Sequence, residues 1–92
     1  MNTENEITPE ELDEIEERCR RASPGPWISY IEGRDQSSGS SFIMTGPDGS
    51  GEDIEMSGAT TDDQDFIAHA RQDVPRLLAE VRRLRARLAD GG

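Results

Sequence analysis

The chain contains no lysine, one cysteine and one histidine, and each scarcity closes a branch of chemistry. Without lysine there is no Schiff-base nucleophile, and neither a GxxxxGK[ST] nor a GxGxxG string occurs to cradle phosphates on backbone amides. Cys19, alone, forms no intrachain disulfide and no cysteine-based zinc site. It falls on the apolar spacing of a helix and is expected to be a buried structural thiol. His69 has Asp65 and Asp73 four residues to either side, but spacing brings it no serine or cysteine to activate. It therefore reads as a helix-surface or packing histidine, and the chain is not expected to be an enzyme. Apolar runs never exceed three residues, as in Phe42-Ile43-Met44, whereas a membrane span needs roughly twenty. Trp27, Tyr30, Phe42 and Phe66 are too few to spare for base stacking and are assigned to the core.

What is present is charge. The net charge is -10 over 92 residues, but residues 1 to 70 carry seventeen acids against four arginines while residues 71 to 92 carry three acids against six arginines. An acidic domain gains little from a phosphate backbone, so nucleic acid is not an expected partner. The first seventeen residues hold eight acids and no base, the opposite of a secretory or organellar leader, which places the expected location in the cytoplasm. A chain this short makes one thin core and gains from a partner subunit, so homo-oligomerisation is expected.

Local signals predict an α+β domain over 1–92: an N-terminal helix, a small antiparallel sheet of about three strands and a kinked C-terminal helix pair. Thr8, Pro9 and Glu11 form a capping box, with Ile7 and Leu12 at the staple positions. Leu12, Ile15, Cys19 and Ala22 then make a narrow apolar stripe, ended by Ser23-Pro24-Gly25-Pro26. Trp27 to Glu32, Ser41 to Thr45 and Glu52 to Met56 read as strands. Gly46-Pro47-Asp48-Gly49 is the turn between the last two, with Gly49 and Gly51 expected at positive φ; its acids lack the offsets of a calcium loop. Thr60 or Thr61 caps the final helical region, and Phe66, Ile67 and Ala70 supply its apolar face. Pro75 is expected to kink it or to start a new helix capped by Asp73. Val74, Leu77, Val81, Leu84 and Leu88 follow an a/d seam, widened by Leu78, that is expected to pack on the first helix, on the sheet or on its copy in another subunit, and to be buried at least partly as an interface between chains. Residues 1–7 and 90–92 are expected to be disordered and 33–41 a flexible loop.

The strings SPGPW (Ser23 to Trp27) and DQDFIAHARQDVPRLLAEV (Asp63 to Val81) together resemble a set of small phage and prophage accessory proteins, Ead-like and largely uncharacterised. In that set a helix ends in T/S-PGPW, a variable strand region follows and an FIAxARxD-(V/I)-P-x-LL helix closes the chain. Phe66 to Pro75 carries the firmest match, with Gln64-Asp65 standing where the pattern has N/D-A. A weaker similarity links the general build to the Thoeris anti-defence type of nucleotide sponge. That resemblance implies a homo-oligomer that sequesters an anionic, cyclic nucleotide-type immune signal.

The candidate ligand-binding residues are Trp27, Phe66, Arg71, Arg76, Arg83 and Arg87, with no cofactor and no metal expected. Trp27 is expected to pack on Phe66 and Ile67. Arg76, Glu80, Arg83 and Arg87 line one helix face, where arginine crowding demands a counter-charge. Two sources stay open: the acids Glu10, Asp13, Glu14 and Glu17 of the first helix, or an anionic ligand or acidic partner gripped by the guanidinium forks. The matching functions are a phage accessory binding module that traps a nucleotide signal, and an acidic protein-interaction or inhibitor protein acting on a host or phage protein.

Overall fold

The computed structural model describes residues 6–35 and 40–91. Helix α1 (Pro9–Arg21) starts where its signals place it: the Thr8 hydroxyl accepts from Glu11 N–H at 3.1 Å, and the Glu11 carboxylate accepts from Thr8 N–H at 2.9 Å. Ile7 and Leu12 line one apolar cleft, so Ile7 is seated rather than part of a loose end; residues 1–5 of the expected disordered end lie outside the described residues. The helix stops at Ala22, whose extended backbone leads into the prolines, and the Gly25-Pro26 peptide is cis.

Strands β1 (Ile28–Tyr30), β2 (Phe42–Met44) and β3 (Ile54–Glu55) form an antiparallel sheet in that order, with Ile28 opposite Met44, Tyr30 opposite Phe42 and Ile43 opposite Ile54. Each strand is shorter than its sequence pattern. The paired Tyr30 and Phe42 rings stack with centroids 5.3 Å apart, the cross-strand aromatic contact that an otherwise small sheet uses to hold its register. Ile43, on the middle strand, is fully buried. Of the expected flexible loop, 36–39 lie outside the described residues, whereas Gly33 to Asp35 form an anchored turn: Asp35 accepts from Ile31 N–H at 2.8 Å.

The turn after β2 departs from expectation in one detail. Gly46, Asp48 and Gly49 take positive φ, but Gly51 does not. Gly51 is small for another reason: its N–H donates to Thr45 O at 2.9 Å, and a Cβ there would lie 2.3 Å from Thr45 Oγ1. That hydroxyl, buried, donates to Glu52 O at 2.7 Å and closes the turn onto the end of β2.

Helix α2 (Thr61–Gly91) is a single helix, not a pair. Thr60 caps it, its hydroxyl accepting from Asp63 N–H at 3.0 Å while Asp63 accepts from Thr60 N–H at 3.2 Å. Pro75 sits inside the helix, and Asp73 is an interior residue rather than a cap. Proline leaves the Arg71 carbonyl without its helical donor, a loss of about 3 kcal/mol. Packing on both sides of the proline offsets it: Ala68 is buried three residues before Arg71, and Leu78 is buried three residues after Pro75. The helix also continues through Asp90 and Gly91, which were expected to be loose; Gly92 lies outside the described residues.

The buried apolar residues are Leu12, Ile43, Ala68 and Leu78 among those described. They form two thin layers on α2, one against α1 and one against β1. Phe66, expected in the core, is 75% exposed. Residues 66 and 68 are two apart, hence about 200° apart around a helix of 3.6 residues per turn, so burying Ala68 turns Phe66 outward.

Two substitutions test this packing in urea unfolding. Leu78→Ala is expected to cost about 2–5 kcal/mol through the cavity it leaves. Pro75→Ala is expected to raise stability by about 2 kcal/mol, since it restores a donor to the Arg71 carbonyl at the loss of some unfolded-state restriction.

Candidate functional site

Glutamines on α2, rather than apolar side chains, attach the helix to the sheet. Gln64 is 1% exposed, and its Nε2 donates to Ser29 Oγ at 3.0 Å, Tyr30 O at 3.1 Å and Phe42 O at 3.0 Å. Two turns further on, Gln72 accepts from Trp27 N–H at 2.8 Å through Oε1 and donates to Trp27 O and Ala68 O at 3.2 Å through Nε2. The side chain of Gln72 thus pairs with the Trp27 backbone much as a neighbouring strand would. Gln64, Ala68 and Gln72 step by four along one face. Amides at the ends of a face centred on a small residue are the trace that sequence alone offered.

Trp27 and Arg71 do come together. The Trp27 indole N–H and the Arg71 Nε both donate to Ser23 O, at 3.1 and 2.9 Å. Both residues line a shallow groove of about 230 Å³ with Cys19 and Ile67. Trp27 is half-buried against the Ile67 side and away from Phe66, and Cys19 is half-buried rather than enclosed. The remaining ligand candidates stand elsewhere. Phe66 faces outward, Arg76 lies beside Asp73, Leu77 and Glu80, and Arg87 is exposed near the end of α2. Arg83 forms a fork to Glu80 of its own helix at 2.5 and 2.9 Å, which raises the guanidinium pKa and lowers that of the carboxyl.

The counter-charge to α1 comes from a residue outside the expected stripe. Arg82 donates to Asp13 at 2.8 Å and reaches Glu16 at 3.1 Å. On α1 itself, Glu17 binds Arg20 and Arg21 rather than α2. Arg82 belongs instead to the stripe Gln64, Ala68, Arg71, Pro75, Leu78 and Arg82, which steps by four and three and is buried or half-buried throughout. Hydropathy alone does not mark a stripe with that composition.

A cleft of about 480 Å³ beside β1 is lined by Trp27, Ser29, Arg34, Asp65, His69 and Gln72. Arg34 is its organiser. Its Nη1 and Nη2 donate to the two Asp65 oxygens at 2.8 and 3.1 Å, and its Nε donates to Asp35 at 2.9 Å. The bonds from Arg34, aided by Ser29, hold the Asp65 carboxyl below its ordinary pKa; Arg34 and the Ile31 N–H do the same for Asp35, and the guanidinium is raised in turn. Serine, aspartate and histidine therefore share a cleft that sequence spacing did not bring together. The wiring is not that of an activated nucleophile. Ser29 Oγ is engaged with Gln64 and Asp65, and His69 Nδ1–H donates to the Asp65 backbone carbonyl at 2.8 Å. Among the described residues no three histidine, cysteine, aspartate or glutamate side chains gather to hold a metal, and no helix is long and apolar enough to cross a membrane.

Comparison with protein-family models, with curated proteins and with solved structures returns no match to this chain.

Gln64→Leu is expected to cost about 1–3 kcal/mol in chemical unfolding, because it leaves strand carbonyls buried without their donor. Arg34→Gln gives a pH-dependent result. A carboxyl whose folded pKa is lowered stabilises above its unfolded value, about 3.9 for aspartate, and that stabilisation is lost as pH falls through the folded value. The stability gap between the native chain and Arg34→Gln should therefore be constant above the ordinary aspartate range and close below it, as followed by acid titration of circular dichroism.

Proposed function

We propose that the chain is a binding module without catalytic activity that works by protein-protein contact through the outer face of α2, as a small phage accessory protein acting in the cytoplasm of a bacterial cell. The observation that carries this reading is the exposure of Phe66, Leu77, Leu84 and Leu88, at 75, 63, 45 and 76%. A domain that buries few apolar side chains and leaves a phenylalanine and three leucines bare along one helix presents a surface for another protein. The resemblance of Ser23 to Trp27 and Phe66 to Pro75 to phage accessory proteins supports the same assignment.

The nucleotide-trap reading keeps one specific support, the convergence of Trp27 and Arg71 on a groove. At about 230 Å³ that groove is smaller than a usual small-molecule site, and Arg71 is already hydrogen-bonded to Ser23. Arg83 is likewise neutralised by Glu80. Four of the six ligand candidates lie away from the groove, so the contact reading is favoured.

A photo-reactive benzoylphenylalanine at position 88 is expected to give covalent protein adducts in cells, whereas the same probe at Glu55 gives none. In parallel, a thermal-shift panel of cyclic di- and trinucleotides and cyclic ADP-ribose variants is expected to leave the melting curve unmoved. A bound signal at 100 times its dissociation constant would add about 2.7 kcal/mol and would transfer the assignment to the trap.

A further inference from the structure

The bare side chains on α2 are not scattered. Phe66, Leu77 and Leu88, the three most exposed large apolar residues among those described, stand eleven residues apart. Eleven residues at 3.67 per turn make three turns, so the three lie on one nearly straight line that is about 33 Å long at 1.5 Å per residue. Leu77 is its midpoint. Leu84, exposed, and Ala70, half-buried beside α1, fall on the same line, seven residues to either side of Leu77. About Leu77 the line is self-complementary in size: large at 66 and 88, large at 77, and small at 70 against large at 84.

We infer that this line is a self-association surface: two copies of the chain pair through α2 in antiparallel fashion about a two-fold axis at Leu77. The inference rests on the reading of this face as a protein-contact surface and names the partner as a second copy. Under that axis Leu77 meets the partner's Leu77, Phe66 meets the partner's Leu88, and Ala70 receives the partner's Leu84, small against large. A two-fold interface requires such self-complementarity of one patch.

Charge selects the orientation. The first part of α2, residues 61 to 73, carries four acids and one arginine, and residues 76 to 91 carry five arginines and two acids. Antiparallel pairing sets the acidic part of each helix against the basic part of the other, twice; parallel pairing sets like on like. At the centre, Asp73, Arg76 and Glu80 surround Leu77 in a shallow depression, and the two-fold axis brings Arg76 near the partner's Asp73 and Glu80.

Length supplies the third reason. Arg82 is the last α2 residue tied to α1, and 83–91 continue as helix with every residue exposed. A helical end of nine residues is marginal without tertiary packing. A second copy covers it with the line it already carries.

The test is disulfide trapping in a Cys19→Ser background, together with light scattering of the unaltered chain. Scattering at tens of micromolar is expected to give twice the 10.2 kDa chain mass, falling towards one chain as salt rises. Leu77→Cys is expected to cross-link with itself, and Phe66→Cys with Leu88→Cys only when the two variants are mixed, with helicity checked by circular dichroism for each. Self-linking of Phe66→Cys and of Leu88→Cys would mean parallel pairing and overturn the axis. A monomer at every concentration would overturn the self-pairing, even if a trapping variant misfolded. In that case adducts to a different protein from the probe at position 88 would leave the contact surface standing with another partner, and the absence of any adduct would remove both.

Discussion

The contact between α2 and the sheet is centred on one buried carboxamide. Gln64 lies buried at the contact between α2 and the sheet, and its Nε2 reaches acceptors on both β1 and β2. Strand carbonyls that face a helix have no water to turn to, and an amide that satisfies them gains what an unpaired buried group would lose. Gln72 repeats the device at the start of β1, where it binds both backbone groups of Trp27. Between them lies Ala68, a small side chain that is fully buried.

Attaching the helix by amides has a geometric consequence. The side of α2 given to the sheet holds Gln64 and Ala68, and Ile67, Val74, Leu78 and Val81 share clefts with the apolar stripe of α1, whereas Phe66, Leu84 and Leu88 turn out to the surface. In most small domains these roles are reversed, because apolar area is what normally stabilises the docking of an amphipathic helix. Here the core stays thin, and the apolar row remains free to act between molecules. The separation of the intramolecular bond from the intermolecular surface is what makes a protein-contact function and a self-pairing line physically compatible with one folded chain.

Arginine does the remaining positioning. Arg34 gathers Asp35 and Asp65 and so pins the turn after β1 to the first turns of α2. Arg82 ties the middle of α1 to the second half of α2. Both are solvent-accessible, and exposed ion pairs of this kind contribute more to orientation than to stability. The guanidinium fork suits that task, since it grips two carboxylate oxygens in one plane. Arg34 and Arg82 are thereby occupied in the fold, as Arg83 is by Glu80, and the acidic excess of α1 is only partly balanced within the chain.

The amino-acid sequence by itself determined the local elements: the capping box at Thr8, the stop at Ser23 to Pro26, the turn at Gly46 to Gly49 and the start of α2 near Thr60 are each decided by residues within a few positions of one another. It also determined that an apolar row from Val74 to Leu88 exists. What it did not decide is which side of α2 faces inward. Helical periodicity ranks faces by hydropathy, and the inward orientation of α2 is held by Gln64, Gln72 and Arg82, whose partners on β1, on β2, at Trp27 and on α1 are tens of residues away. The same distance in sequence hid the meeting of Arg34 with Asp65 and of Trp27 with Arg71. Continuity of α2 through Pro75 was likewise a tertiary outcome, since the local preference is to break and only packing on either side outweighs it. Short-range rules set where helices and strands begin and end; the rotation of the long helix, and with it the identity of the exposed surface, was decided by hydrogen bonds that exist only once the chain has folded.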